Sequence, residues 1–269
     1  MRLLSLLVAL SFLCISSATS QISREIHKTL PLKSDGRLVI DTYKGSITVR
    51  THDKPQVEVD VRIESDDSNS REAEMDVKDT EIDIDGSDAE VTLHTSYKDL
   101  ERERHTGFWN NIFHSFEFSN SLPLVHYTIK MPRTAELRIK DYKSRTRIDD
   151  LRSDLTFKTY KGEAEINNLL GGIELETYKG TVHISFSHLS SDSRIETQKG
   201  SITIAVPKGD KYDLLTNFGR RVNFSTDFDV QRIERNKKHN HYDYQANIHG
   251  GGPRLRLTSE KGEMRLVEK

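Results

Sequence analysis

Four tyrosines and the lysines that follow them are the residues whose type and spacing could do chemistry in this chain. Tyr43, Tyr142, Tyr160 and Tyr178 each precede a lysine, and the last three are spaced 18 and 18 residues apart. Aromatic rings repeated beside ammonium groups have two uses. As an exposed ladder, Tyr43, Tyr142, Tyr160, Tyr178, Lys161 and Lys179 would stack sugar rings or grip an acidic polymer. As corner cover they would only shield the fold, each stacked pair contributing about 0.2–1 kcal/mol. Lysines about 5 Å apart repel by on the order of 1 kcal/mol in water. Asp41, Asp141, Glu176 and Glu196 lie close enough in sequence to offset that.

A second constellation is Gly107 to Phe118, with Trp109, Phe113 and Phe116 at near-helical spacing. Exposed, these three form a partner-contacting patch; folded back, they cap the open end of a stack. His239 and His241 share a strand face, but two imidazoles without a placed carboxylate do not make a zinc site. His183 and His188 read as surface residues. Catalysis has little to stand on. No nucleophile elbow, zinc-protease or phosphate-loop phrase occurs, and adjacent Asp149-Asp150 need not converge. The charged residues recur with the repeat, which suits architecture better than one reacting centre. No cofactor is expected.

The elements that must position these residues follow from the repeat itself. Thr159-Tyr160-Lys161-Gly162 and Thr177-Tyr178-Lys179-Gly180 copy Thr42-Tyr43-Lys44-Gly45. Worn copies stand at Asp141-Tyr142-Lys143-Ser144, Thr197-Gln198-Lys199-Gly200, Asn217-Phe218-Gly219 and Ser259-Glu260-Lys261-Gly262. Each copy is flanked by alternating apolar residues, such as Leu155 and Phe157 before and Ala164 and Ile166 after. Period-2 alternation is a strand buried on one face.

A hairpin meander and a solenoid both use such a phrase. Leu151, Leu169 and Leu189 keep step with the tyrosines, and buried plugs at constant offset favour stacked coils. The expected fold is therefore all-β: a β-solenoid (β-helix-like) with about 18–20 residues per rung, preceded by a few N-terminal strands. Thr42, Thr159, Thr177 and Thr197 then point inward at the corner, where hydroxyls bond rung to rung. The glycine after each lysine suits a left-handed backbone. Phe218, 20 residues after Gln198, continues the series, and Arg254 to Val267 adds a last rung. A short helix starts near Ser70, and irregular excursions occupy 97–122 and 229–252.

Residues 1–20 read as a signal peptide, with Arg2 before an apolar run from Leu3 to Ile15 and small residues to Ser20. A lipoprotein signal at Cys14 is disfavoured by Leu13 before it. Residues 21–269 then form one domain, exported to the periplasm, the cell surface or beyond, without a transmembrane segment. Lys and Arg number 40 against 42 Asp and Glu, so no electrostatic footprint for nucleic acid exists. Cys14 is the only cysteine, so no disulfide holds the exported chain.

Three motifs carry a family resemblance: Tyr127-Thr-Ile-Lys-Met-Pro132, the serial Thr-x-x-Gly-x-Ile-x-Ile phrase, and the closing Gly252-Pro-x-Leu-x-Leu-Thr-Ser-x-x-Gly262. Over roughly residues 37–268 the chain resembles a bacterial family of exported β-solenoids known as the putative adhesins, a domain otherwise of unknown function. The resemblance implies a secreted or envelope-attached, non-catalytic protein and supplies no active site to transfer. The aromatic loop at 107–118 departs from the pattern. The expectation is an exported binding scaffold whose partner is a glycan or a cell-surface protein. A polysaccharide-active β-helix enzyme and an envelope-stress accessory are the alternatives.

Overall fold

A computed structural model describes residues 22–65, 67, 69–97, 122–236 and 241–269. The signal-peptide reading and the Trp109, Phe113, Phe116 patch lie outside the described residues, as do His239 and the side chain of His241. No helix among the described residues is long and apolar enough to cross a membrane, which says nothing of spans made by strands.

The fold is all-β, with its strands joined in one nearly closed, barrel-like sheet. The opening strands are β1 (Ser23–Pro31), β2 (Arg37–Asp41), β3 (Lys44–His52) and β4 (Gln56–Glu64). Helix α1 (Ser70–Asp79) follows, capped by the Asn69 side chain accepting the Arg71 N–H. Next come β5 (Thr80–Gly86), β6 (Glu90–Tyr97), β7 (Leu124–Pro132), β8 (Glu136–Asp141) and β9 (Lys143–Asp149). The repeats supply β10 (Leu155–Thr159), β11 (Glu163–Gly171), β12 (Ile173–Thr177), β13 (Thr181–Leu189), β14 (Ser193–Thr197) and β15 (Ser201–Val206). The chain closes with β16 (Tyr212–Thr226), β17 (Gln231–Asn236), β18 (His241–Ile248) and β19 (Arg254–Glu268).

Through the repeats, successive strands alternate between two parallel ladders. One runs β6, β2, β8, β10, β12, β14; the other runs β7, β3, β9, β11, β13, β15. Leu155 lies beside Ile173 and Phe157 beside Leu175, so like residues register over like at the sequence repeat. The inward positions of the two ladders bury Leu137, Phe157, Leu175, Ile195, Ile148, Ile166, Ile184 and Ile204. Their outward neighbours are mostly polar or charged, such as Arg138, Lys158, Glu174, Arg147 and Glu165, which is how a chain with 30% charged residues still closes a core. Leu151, Leu169 and Leu189 are buried as the spacing predicts.

Two features of the order differ from the linear reading. The rung of β2 and β3 sits between β6/β7 and β8/β9. At the other end β19 lies between β14/β15 and β16. Phe218 therefore stacks on Ser259, and Ser259 on Thr197. The 20-residue step from Gln198 to Phe218 is a spacing without a contact. Residues 229–252 are also more regular than expected, because β17 and β18 form an antiparallel pair laid on β16.

Candidate functional site

The corner between the ladders is made by backbone before side chains take part. The N–H of Lys143 donates to Tyr43 O, that of Lys161 to Tyr142 O, Lys179 to Tyr160 O and Lys199 to Tyr178 O, each at 2.8 Å. Rung-to-rung hydrogen bonding thus continues straight through the Tyr-Lys step, holding successive tyrosines at strand spacing. Gly162, Gly180 and Gly200 do not adopt positive φ, contrary to expectation; only Gly45 and Gly262 among the corner glycines do. Their reason is space. A Cβ at Gly180 would stand 2.2 Å from the Gly162 carbonyl oxygen, and one at Gly162 would stand 2.4 Å from Thr159 Oγ1.

The corner hydroxyls serve mostly their own turn. Gly162 N–H donates to Thr159 Oγ1 at 2.9 Å and Gly200 N–H to Thr197 Oγ1 at 2.8 Å. Thr42 and Thr95 do bond across rungs, at 3.0 Å. Asp141 takes the threonine position in its own rung and accepts the Ser144 N–H at 2.7 Å. It is fully buried, and that burial pushes its carboxyl up to about 6, against hydrogen bonds from Thr159 and Ser144 that pull the other way.

The four tyrosines come together as one column. Their ring centroids are 4.6, 5.0 and 4.7 Å apart from Tyr43 through Tyr142 and Tyr160 to Tyr178, with interplanar angles of 14°, 15° and 7°. Tyr97 closes the Tyr43 end edge-on, its centroid 6.2 Å away. Face-to-face stacking hides the faces. Tyr142 and Tyr160 are only 3% and 6% exposed, so neither can offer a face to a sugar. Burial holds the phenols of Tyr142 and Tyr160 above the ordinary range and pushes Tyr43 up to about 12.

The lysines divide differently from the sequence reading. Lys161 Nζ lies 5.2 Å from the Tyr160 centroid and 5.9 Å from that of Tyr142. Lys179 is exposed. Lys199, not singled out beforehand, takes the matching place at Tyr178. Its Nζ is 5.0 Å from the ring centroid yet 2.9 Å from the phenol oxygen, so the ammonium stands beyond the ring edge. That hydrogen bond, with the charge behind it, lowers the Tyr178 pKa. The signal for Lys199 was the intact Lys-Gly pair in a rung that has Gln198 where others have tyrosine. The acids expected to offset these lysines serve other cations: Glu176 binds Lys158 at 3.1 Å, Glu196 binds Arg194 at 2.8 Å, and Asp41 lies 3.8 Å from Lys140. Asp149 and Asp150 likewise have separate partners, Asn167 and Asn168.

Beyond Tyr178 the column changes character. The next positions are Gln198 and Glu260, set by the register of Thr197 on Ser259. Gln198 takes the place of a fifth ring, and a cleft of about 470 Å³ is lined by Tyr160, Tyr178, Gln198, Thr258 and the residues Glu176, Glu196 and Glu260. Tyr178 is half-buried and borders this space.

A different polar chain crosses the outer face of the opening strands. Ser46 Oγ lies 2.8 Å from His126 Nδ1, and His126 Nε2 lies 3.2 Å from Glu64 Oε1. Ser46 sits on β3, flanked on both sides by β7 and β9, so the backbone around it is committed to the ladders.

No protein-family model matches this sequence, and no curated protein does either. Among solved structures, a putative cell adhesion protein from Clostridium sporogenes ATCC 15579 is 13% identical with a TM-score of 0.45, covering 92% of this chain and 100% of its own. A putative adhesin from Bacteroides fragilis NCTC 9343 is 11% identical with a TM-score of 0.30, covering 91% and 97%. A putative lipid binding protein from Parabacteroides distasonis ATCC 8503 is 12% identical with a TM-score of 0.29, covering 91% and 96%. At such identities and scores the site is read from its own residues.

Proposed function

We propose that this chain is an exported, non-catalytic binding protein built as a β-solenoid, whose ligand enters the cleft at the Tyr178 end of the tyrosine column. Parallel ladders in register at the repeat length, with corners that keep the rung-to-rung bonds, support stacked coils. The observation that carries binding is the abrupt end of the column. Three stacked pairs bury their rings against one another, and the fourth ring, followed by Gln198 rather than another tyrosine, borders a cleft. A concave site with one aromatic wall and a few convergent polar groups is the ordinary form of a ligand pocket. The column itself is cover; its terminal ring is the binding element.

The ligand class favoured is a glycan of a cell surface. A glycan array read with the wild-type protein and with Tyr178→Ser tests this. Retention of particular glycans by the wild type, lost in the variant with its circular dichroism unchanged, is the expected result. Equal retention by both proteins would remove the cleft from the account.

One observation favours a second, catalytic reading: the Ser46–His126–Glu64 chain has the order of a nucleophile, a base and an orienting carboxylate. It lacks a pair of free backbone donors to hold an oxyanion, since Ser46 lies within paired strands. Labelling of Ser46 by a fluorophosphonate, abolished in His126→Gln, would move the protein to the hydrolases. No labelling is expected.

A further inference from the structure

We infer that the cleft beyond Tyr178 takes an amino sugar: a pyranose residue whose protonated amine meets Glu260 while one ring face lies on Tyr178. This rests on the reading of that cleft as the ligand site and specifies what enters it.

Charge is the first argument. Of the three carboxylates at the cleft, Glu176 and Glu196 already hold Lys158 and Arg194. The Glu260 side chain has no ion pair or hydrogen bond among the described residues and is exposed. A Cβ added at Gly219 would meet the Glu260 backbone oxygen at 2.6 Å and its Oε2 at 3.0 Å, so the glycine lets the two strands approach there. A cleft that holds both a solvated anion and an aromatic ring accommodates a cation with an apolar side.

Hydrogen-bonding type is the second. Gln198 brings both donors and an acceptor, and Thr258 a hydroxyl that does either. A guanidinium only donates, so it would leave the Gln198 amide protons without an acceptor. Sugar hydroxyls both donate and accept, which satisfies the amide and the threonine together. The third argument is polarity along the site. Lys199 stands at the hydroxyl edge of Tyr178 and repels a second ammonium there. The ligand's amine is thereby directed to the Glu260 side. A cleft of about 470 Å³ accommodates a sugar residue rather than an extended fold-back of chain.

Three tetrasaccharides with one backbone separate the possibilities: β-1,4-linked glucosamine, its N-acetylated form and its glucose analogue. Titration calorimetry at moderate salt should show the glucosamine oligomer binding about tenfold or more tightly than the other two. Glu260→Gln should abolish that preference, bringing the glucosamine oligomer down to the affinity of the glucose oligomer for the same variant. Tyr178→Ser should weaken all three. The preference should also fade as pH rises through the ligand amine's own titration. Equal binding of all three, unaffected by Glu260→Gln, would overturn the amino-sugar assignment and leave glycan binding standing. An arginine tetrapeptide that binds as tightly and with the same Glu260 dependence would overturn it too. No binding of any oligomer to the wild type would sink both this inference and the glycan reading beneath it.

Discussion

Asp141 carries the plainest chemical consequence. It occupies the corner position that holds threonine in the neighbouring rungs, and burial raises its carboxyl to about 6 from an ordinary 3.8. The sign follows from proton counting. Between those values the folded protein keeps a proton that the unfolded chain has released, so stability falls as pH rises through that window. About two pKa units correspond to roughly 3 kcal/mol at most. Asp141→Thr keeps an oxygen for the residue-144 N–H and removes the charge. Urea denaturation at about pH 4 and about pH 7 should show the variant gaining on the order of 2 kcal/mol at the higher pH and almost nothing at the lower. The same gain at both pH values would mean the carboxyl is not what titrates. Tyr178 offers a second test at this scale. Its hydrogen bond from Lys199 favours the phenolate, whereas burial disfavours it in Tyr43, Tyr142 and Tyr160. In an alkaline titration followed by tyrosinate absorbance, Tyr178→Phe should delete an early-ionising component. Lys199→Met should move that component to higher pH.

Among the elements, the corner decides most. Thr-Tyr-Lys-Gly was legible as a repeated unit because alternation on both sides and constant spacing leave few ways to stack it. Which way the rings faced was not legible. Spacing places tyrosines over one another, but only the backbone bonds from lysine N–H to tyrosine carbonyl draw them to within 5.0 Å, where they consume each other's faces. The glycines misled for a related reason: a missing side chain records either an unusual φ or a close neighbour, and sequence does not distinguish them. At Gly180 it is the neighbour. Gly180→Ala should therefore destabilise by on the order of 2 kcal/mol, because its Cβ meets a backbone oxygen that cannot swing aside. Alanine at Gly209, where nothing stands within 4 Å of a Cβ, meets no such neighbour, though its φ of +88° imposes strain of its own. Thermal denaturation of Gly180→Ala against the wild type measures the effect; an unchanged midpoint would show that the corner relaxes.

At the level of the whole molecule, the all-β class was readable and the order of its strands was not. Hydrophobic alternation reports that a strand has an inner face, and says nothing about which distant strand lies beside it. Phe218 falls at the right interval after Gln198, yet β19 occupies the place between them. Tyr43 and Tyr142 are 99 residues apart in sequence and stack at 4.6 Å. The site inherits this arrangement, since Thr258 and Glu260 reach the cleft only because β19 is inserted there. Removing residues 254–269 should abolish ligand binding together with the cooperative unfolding transition. The same deletion would also take from β14, β15 and β16 one of the two strands that each pairs with.

Such a shortened chain would be a socket. Two facing rows of amide and carbonyl groups, one on β14 and β15 and one on β16, would be left open at the width of a single strand. A synthetic peptide of residues 254–268 is cut to that slot, side chains and register included. Supplied in solution, it should act as the missing plug and rebuild the molecule in two pieces.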